Sequence, residues 1–247
     1  MKVLIVGMNG AIGTTLMAGV RRYAQTDESL VGSVVYAQYV DESVNGAGPG
    51  EDSKPVREAV DAPRLEEISF AGWDVQHADP VEAARQHDVL DGEDIEYVPS
   101  DIEARPGIVG KTTRCDAPRA IEGETDELLD RVRSDIEEMT ADVDTDEDVV
   151  MVWLGSTEAS TGEEGVDGVA SRVYAKAAIE QGIPFINGSP QNTMYGDLLG
   201  FAHERGVPVA GRDLKTGQTL VKSSLASMMF MRSLGLEGWF STNILGN

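Results

Sequence analysis

The sequence predicts an α/β fold organised as a doubly wound parallel sheet. Short apolar runs rich in β-branched residues, typical of strands buried in parallel sheets, recur at 3–6, 148–155 and 183–187. Helical patterns separate these runs, and glycines mark the exit of the first one. Because strands that alternate with helices form a parallel sheet with helices on its faces, we expect this architecture along the chain.

The first half of the chain contains the least regular segments. Residues 41–64 combine glycines, prolines and charges without periodicity, which indicates an exposed loop or insertion. Between about residues 88 and 124 no regular element is predicted. In order, the predicted elements are a strand at 3–6, a helix at 14–24, a strand at 33–40, a strand within ISFAGWDV (68–75) and a helix at about 80–88.

The second half alternates more clearly between strands and helices. DVVMVWLG at 148–155 is the clearest strand, and Gly182 ends the helix before the next one, since glycine commonly terminates helices. The methionines at 228, 229 and 231 are expected to pack in the core. The predicted elements are helix 128–139, strand 148–155, helix 166–181, strand 183–187, helix 195–205, strand 207–210, helix 217–234 and strand 239–244.

The charge balance and the rare residue types exclude several classes of protein. The chain has 43 acidic and 20 basic residues, a net charge of -23, and nucleic-acid binding needs clustered Lys and Arg, so we expect no nucleic-acid partner. Cys115 is the only cysteine, which excludes an intrachain disulfide and favours a reducing compartment. The histidines show no metal-ligand spacing, and no apolar run reaches membrane-spanning length. We therefore expect no metal, no membrane partner and a cytoplasmic location.

The melting temperature is expected to rise with potassium chloride in the molar range. The acidic residues are spread along the chain, as in acidic proteins of a salt-rich, halophilic cytoplasm, and high ionic strength screens their mutual repulsion. Thermal denaturation at increasing potassium chloride measures the effect. A melting temperature that stays constant would count against it.

A glycine loop follows the first strand, in VLIVGMNGAIG. Gly7, Gly10 and Gly13 lie where the backbone of a dinucleotide-binding fold approaches a pyrophosphate, and the amides of the helix N-terminus attract its charge. The spacing is G-x-N-G-x-x-G, with Asn9 where the usual fingerprint has glycine. A glycine turn that serves only helix packing is the alternative. Asp41, after the second predicted strand, is the candidate for binding the adenosine ribose, or else a loop carboxylate.

Small polar residues follow several strands in place of ordinary turns. LGSTE (154–158), NGSPQNT (187–193) and GRDLKTGQT (211–219) all come directly after apolar runs. Because ligands bind beyond the carboxyl ends of parallel strands, these segments are expected to open on one edge of the sheet. The amides of the second segment are accordingly predicted to line a ligand crevice.

The segment DLKTGQTLVKS predicts an anion site. Thr216 to Thr219 precede an amphipathic helix, whose N-terminal amides can bind a phosphate monoester together with the hydroxyls. Lys215 and Lys222 add positive charge nearby. An ordinary threonine cap is the alternative.

Three segments near the C-terminal end resemble those of a known family. INGSPQNT, GRDLKTGQTLVKS and STNILGN closely resemble signature segments of the myo-inositol-1-phosphate synthase (inositol-3-phosphate synthase) family. VGMNGAIGTTLMAGV, GWDV and VWLGSTE are similar to the family's other NAD-side motifs, more loosely. The resemblance implies a Rossmann-like NAD-binding domain over 1–247, with the start of the catalytic region at about 239–247.

The resemblance also implies an activity. Members of the family convert glucose 6-phosphate to inositol phosphate with a tightly held NAD, in inositol and phospholipid biosynthesis. The sugar is oxidised, its ring closes by intramolecular aldol addition, and the same cofactor reduces the ketone, so no net redox change results. We therefore expect an NAD-dependent isomerase of the intramolecular lyase type, acting as a homo-oligomer, which in the family is a tetramer.

Residue by residue, the resemblance implies three groups of site residues. Catalytic roles fall on Lys215, Lys222 and Asp213. Contacts with the substrate phosphate are implied for Thr216, Gly217, Gln218 and Thr219. NAD contacts fall on Gly7, Asn9, Gly10, Ala11, Ile12, Gly13, Asp74, Gly155, Ser156, Thr157, Gly188, Ser189, Asp213 and Asn247.

The sequence departs from the family pattern at identifiable positions. Asn9 replaces a glycine, and Ala11 and Ile12 replace two asparagines, so the pyrophosphate contacts are expected to differ. The chain has only six lysines, too few at matching positions for the family's full catalytic set. Two other functions therefore stay open: a non-catalytic NAD-binding module or pseudoenzyme, and an NAD-dependent sugar-phosphate dehydrogenase. The dehydrogenase would accumulate NADH, whereas the synthase would not.

Overall fold

A computed structural model describes residues 1–26, 39–40, 54–109, 117–143, 148–158, 169–214 and 217–239. It contains a six-stranded sheet and a separate two-stranded sheet. The strands are β1 (Lys2–Val6), β2 (Tyr39–Val40), β3 (Lys54–Pro55), β4 (Ser69–Asp74), β5 (Arg105–Pro106), β6 (Val149–Trp153), β7 (Phe185–Asn187) and β8 (Val209–Gly211). The helices are α1 (Ala11–Gln25), α2 (Val56–Ala59), α3 (Pro80–His87), α4 (Thr125–Met139), α5 (Ala170–Glu180), α6 (Asp197–Glu204) and α7 (Gly217–Met231), with 3-10 turns at Leu65–Glu67 and Asp94–Tyr97.

The strands of the larger sheet are all parallel and lie in the order β5-β4-β1-β6-β7-β8. Counted along the chain among themselves, they follow the strand order of the doubly wound dinucleotide-binding fold. The direction of the chain order reverses between β1 and β6, and ligands of such sheets bind beyond the carboxyl ends at that reversal. The predicted fold class is confirmed.

The second strand of the main sheet is not the one that the sequence predicts. β4 lies beside β1, with Trp73 opposite Val6. Of the strand predicted at 33–40, residues 33–38 lie outside the described residues, and β2 pairs antiparallel with β3 in the separate sheet. The acid at the end of the second strand of the main sheet is therefore Asp74. Asp41 itself lies outside the described residues, so its contact with the ribose stays a prediction; Asp74 is among the NAD contacts that the resemblance implies.

Helices cover both faces of the main sheet. Leu4 and Val6 belong to a core cluster shared with α4, α5 and α6. Ile5 points to the opposite face, where Met17 of α1 packs against it. This division follows from the alternation of side chains along a strand. The helices on the two faces do not cover the carboxyl ends of the strands, so a ligand site can form there.

The other differences from prediction are local. β5 has two residues, too few to show an apolar run, and β3 with α2 gives regular structure at 54–59 within the predicted loop. α7 ends at Met231, and the strand predicted at 239–244 lies outside the described residues from 240 onward. Met228 and Met231 are 51% and 80% exposed, so the expectation that they pack in the core is wrong. Among the described helices, none has the length and apolar character needed to cross a membrane.

Candidate functional site

The glycine loop connects β1 to α1 at the carboxyl edge of the sheet. Gly7 has φ +83°, a left-handed conformation that glycine adopts without strain, and its amide donates to Trp73 O at 2.9 Å. Gly10 precedes α1, whose first intrahelical hydrogen bond joins the Thr14 amide to Gly10 O at 2.9 Å. The amides of residues 11–13 therefore point out of the helix end, and the first turn carries no acidic residue. This geometry suits an anion such as a pyrophosphate.

Asp74 ends β4 beside the glycine loop and is 6% exposed. Its Oδ2 accepts the Asn9 amide at 3.0 Å, and its Oδ1 accepts the Gln76 and His77 amides at 2.8 and 3.0 Å. These bonds fix the carboxylate where an acid binds the ribose hydroxyls in dinucleotide-binding folds. Each carboxylate oxygen has two lone-pair directions, so Oδ2 retains capacity for a hydroxyl.

The Asn9 side chain holds the glycine loop against the segment that follows β4. Its side chain is fully buried, and Nδ2 donates to His77 O and Ala78 O at 2.9 Å each. Its backbone O lies 2.8 Å from His87 Nε2. The side chain thus connects the loop to the segment after β4. The Asn9 amide and backbone O are both bonded, whereas its Oδ1 is buried without a hydrogen-bond partner among the described residues.

A cavity of about 70 Å³ lies at the carboxyl ends of β1, β4, β5 and β6. Its walls include Trp73, Trp153 and Tyr174, and the Tyr174 ring centroid is 5.1 Å from that of Trp73 and 6.0 Å from that of Trp153. The volume exceeds the 10–15 Å³ or so that one water requires. Four predicted cofactor residues share the lining: Gly7, Asp74, Gly155 and Ser156.

Two polar groups distinguish the wall of this cavity. Trp153 is 4% exposed, and its Nε1 has no hydrogen-bond partner within the described residues. A buried donor without a partner is costly, and a ligand acceptor would satisfy it. The Tyr174 hydroxyl accepts the Ile108 amide at 3.0 Å, and burial raises the pKa of this phenol well above its ordinary value. The phenol therefore stays neutral at physiological pH and adds no negative charge to the cavity.

The predicted cofactor residues after β7 and β8 also meet at this edge. The Asp213 amide donates to Ser189 O at 3.1 Å, and the Leu214 amide donates to Gly188 O at 3.1 Å. A Cβ on Gly188 would lie 2.9 Å from Trp153 O, so the loop after β7 lies this close to the end of β6 only because Gly188 has no side chain. Asp213 itself is exposed.

Two of the three amides after β7, those of Asn187 and Gln191, are used in internal hydrogen bonds and not in lining a crevice, which corrects the prediction for them; Asn192 is exposed. Asn187 is 3% exposed; its Nδ2 donates to Gln191 O at 2.7 Å, and its Oδ1 accepts both the amide and the hydroxyl of Ser189 at 3.0 Å. Gln191 is bonded to Glu158 and to Ser171. These side chains are used in internal hydrogen bonds, whereas Ser156 and Thr157 in the neighbouring loop are exposed.

α7 begins at Gly217, as predicted, in the connection that follows β8. Lys222 lies in its second turn and is half-buried. The structure gives only the backbone of Gly217, Gln218 and Thr219. Lys215, Thr216 and Asn247 lie outside the described residues.

Several residues of the site were not identifiable from the sequence. Trp153 and Tyr174 occupy apolar positions of a strand and a helix, where aromatic side chains ordinarily pack in the core. In the sequence Glu158 is one member of a polar loop. Its carboxylate accepts the Ala170 and Ser171 amides of α5, and nothing near residue 158 in the sequence predicts these contacts. In the part of the chain that the structure describes, no group of three or more His, Cys, Asp or Glu side chains could hold a metal ion.

The strand order, the glycine loop at the start of α1 and the buried acid at the end of β4 define a doubly wound dinucleotide-binding protein. A family model described as myo-inositol-1-phosphate synthase matches residues 1–234. The chain belongs to this family.

Individual relatives agree with the family model. The chain is 30% identical to inositol-3-phosphate synthase 1 of Bacteroides thetaiotaomicron, over 99% of this chain and 61% of the relative. It is also 30% identical to inositol-3-phosphate synthase 1 of Rattus norvegicus, over 99% of this chain and 50% of the relative. The crystal structure of inositol-3-phosphate synthase from Caenorhabditis elegans superimposes with a TM-score of 0.76 at 25% identity, over 94% of this chain and 52% of that one. The chain thus spans about half the length of the relatives it matches.

NAD is the cofactor that the family model, a model of NAD binding, assigns to this chain. The residues present fit it. Gly10 leaves the amides of α1 open to a pyrophosphate, Asp74 is fixed at the ribose position, and the aromatic cavity adjoins both.

Proposed function

We propose that the chain is the NAD-binding portion of an inositol-phosphate synthase, which converts glucose 6-phosphate to inositol phosphate. The match of the family model over 1–234 carries the proposal, and the site geometry at the carboxyl edge supports it. Residues 1–247 then form one Rossmann-like domain, with the start of the catalytic region at about 239–247. A homo-oligomer, a tetramer in the family, is part of the same proposal, as is a cytoplasmic location, which rests on the single cysteine.

The residues of the chain take distinct roles in this proposal. When bound, NAD accepts a hydride from the sugar phosphate and later returns it. Gly7 and Gly10 allow the backbone to approach the pyrophosphate, and Asp74 accepts a ribose hydroxyl. On the other side of the reversal, Gly188, Ser189 and Asp213 lie beside the nicotinamide half.

The substrate is proposed to bind beyond β8. Thr216, Gly217, Gln218 and Thr219 hold its phosphate at the N-terminus of α7, where unpaired amides attract an anion. Lys215 and Lys222 supply positive charge and, with Asp213, the proton transfers at the sugar. This part of the proposal rests on the family resemblance and on the observed start of α7.

The reaction itself discriminates between the candidate functions. If the chain carries out the synthase reaction by itself, incubation with glucose 6-phosphate and NAD forms an inositol phosphate without net NADH, as phosphorus NMR and absorbance would show together. Accumulation of NADH in proportion to the sugar phosphate consumed would identify a dehydrogenase instead. NAD binding without any turnover would show that the chain binds the cofactor but does not complete the reaction, as expected of an NAD-binding portion or of a non-catalytic module.

Replacing Lys222 with alanine is expected to weaken phosphate binding selectively. Lys222 lies in the second turn of α7, and its side chain is long enough to reach the helix N-terminus. Loss of a charge-assisted hydrogen bond costs about 1.5–3 kcal/mol, so calorimetry should show weaker binding of glucose 6-phosphate and nearly unchanged binding of NAD. Thr219→Val should act in the same direction.

Arg232, just beyond the other end of α7, provides a matched control. Arg232→Ala removes one positive charge from the same region of the chain and should leave glucose 6-phosphate affinity unchanged. If Lys222→Ala has no more effect than Arg232→Ala, the phosphate does not bind at the start of α7. Equal loss of NAD would show a general disturbance of the fold.

A further inference from the structure

Glu158 is a buried carboxylate that immediately follows the exposed residues Ser156 and Thr157. It is 8% exposed. Its Oε1 accepts the Ala170 amide at 2.7 Å and its Oε2 accepts the Ser171 amide at 3.0 Å. The carboxylate therefore caps the N-terminus of α5, where unpaired amides and the helix dipole stabilise its negative charge.

Gln191 pairs with Glu158 from the loop after β7. Its Nε2 donates to Glu158 Oε2 at 2.9 Å and to Ser171 Oγ at 2.5 Å. Its Oε1 accepts the Glu158 amide at 2.6 Å. One amide side chain thus fixes both the backbone and the carboxylate of Glu158. We call this pair the Glu158–Gln191 bridge.

The bridge continues to the cofactor residues of the second loop. Asn187 donates to Gln191 O at 2.7 Å and accepts both hydrogen bonds from Ser189. Ser189 O in turn accepts the Asp213 amide. A chain of hydrogen bonds therefore runs from the loop after β6, which carries Ser156 and Thr157, to the loops after β7 and β8.

Both loops follow strands that lie across the reversal of strand order from β1 and β4, on the side where the nicotinamide half of a dinucleotide is expected. In a doubly wound fold, the adenosine half lies beside the first strands and the nicotinamide half lies across the reversal of strand order. Beyond the last paired residues of β6 and β7, Trp153 and Asn187, the sheet no longer sets the distance between their loops. A hydrogen-bonded connection past that point can do so, because bonds to a charged group are the strongest kind.

We propose that the Glu158–Gln191 bridge is a positioning device that sets the spacing between the loops after β6 and β7, so that one NAD molecule fits both. The two residues act through Ser156, Thr157 and Ser189. This inference rests on the proposed function. It assigns a role to two side chains that make no predicted contact with the cofactor.

Exchanging the carboxylate and the amide between positions 158 and 191 tests the bridge. Gln191→Glu places two carboxylates together and removes the donor to Glu158 Oε2, so NAD affinity should fall by about tenfold or more. Glu158→Gln should also weaken NAD binding, since the cap loses its charge. In the double variant Glu158→Gln/Gln191→Glu, the new amide at 158 can donate to the new carboxylate at 191, but the Ser171 amide loses its acceptor, so NAD affinity should recover in part.

A comparison of ligands separates positioning from general stability. AMP occupies only the adenosine half, so its affinity should change little in the single variants while NAD affinity falls. Lys2→Met is the stability control: Lys2 is buried at the amino edge of the sheet, bonded to Met139 O at 2.8 Å and to Asp142. Its loss should lower the melting temperature without changing the ratio of NAD to AMP affinity.

Calorimetric titration with NAD and AMP gives distinguishable outcomes. Selective loss of NAD in the single variants, with recovery in the double variant, supports the bridge. Equal loss of both ligands, no loss of either, or no recovery in the double variant overturns it. If the unaltered chain fails to bind NAD, the proposed function itself is wrong and the inference falls with it.

Discussion

Replacing Gly13 with alanine is expected to destabilise the fold strongly. The new Cβ would lie 2.3 Å from Met8 O, 2.8 Å from Met8 C and 2.9 Å from Gly7 O. All three are backbone atoms that cannot rotate away, so α1 or the glycine loop has to move. Overpacking of this kind costs about 1–3 kcal/mol and sometimes more, and a contact this short places Gly13→Ala at or above the top of that range. The free energy of unfolding in urea measures the loss.

Gly19, in the same helix, provides the matched control. A Cβ added at Gly19 would meet no atom within 4 Å. Alanine is a better helix former than glycine by about 0.8–1.0 kcal/mol, so Gly19→Ala should stabilise the chain slightly. The same substitution is thus expected to change stability in opposite directions at two positions of one helix. Stabilisation by both substitutions would show that the close contact at Gly13 does not constrain α1.

The strands that the sequence predicted correctly are those with a local signal. β1 and β6 are apolar runs followed closely by glycine, which is the pattern that predicts them. β5, with Arg105 and Pro106, carries no such signal because it joins the sheet through only two residues. Its place at the edge of the sheet is set by pairing with β4, which no local pattern encodes.

Which strand lies beside β1 is also not predictable from a local sequence pattern. The run at 33–40 looks like a strand, and β2 does form there, but it pairs with β3 and not with β1. Which strands become neighbours depends on contacts between distant parts of the chain. The sequence therefore predicts the kind of residue that the ribose position requires, an acid after a strand: the strand pattern points to Asp41, whereas the family resemblance includes Asp74.

The polar loop after β7 shows why site residues are harder to predict than strands. The sequence shows that Asn187 and Gln191 must find hydrogen-bond partners, since buried polar groups without them are costly. It does not show which partners. Gln191 pairs with Glu158, which is 33 residues away, so the amides stabilise the loop instead of lining the crevice. From a single sequence, an amide that stabilises a loop cannot be distinguished from an amide that binds a ligand.

Replacing Gly10 with valine is expected to remove most of the affinity for NAD while the fold is retained. Gly10 has φ -70° and ψ 166°, an extended conformation open to any residue. A Cβ there would meet a single neighbouring atom, Gly7 O at 3.2 Å, so the protein can accommodate it with a small shift. Beyond that contact, the branched side chain faces the open end of α1, where the pyrophosphate is proposed to approach.

The expected loss follows from the amides that the side chain would block. Hydrogen bonds to a charged group contribute about 1.5–3 kcal/mol each, so blocking one lowers NAD affinity by roughly 10- to 100-fold. Thr15→Val is the control, because it places the same side chain at an exposed position of the same helix outside the predicted contacts. Calorimetry should show weak NAD binding for Gly10→Val and unchanged binding for Thr15→Val, with both variants folded by circular dichroism. If folded Gly10→Val binds NAD as tightly as the unaltered chain, the glycine loop serves helix packing alone and the pyrophosphate binds elsewhere.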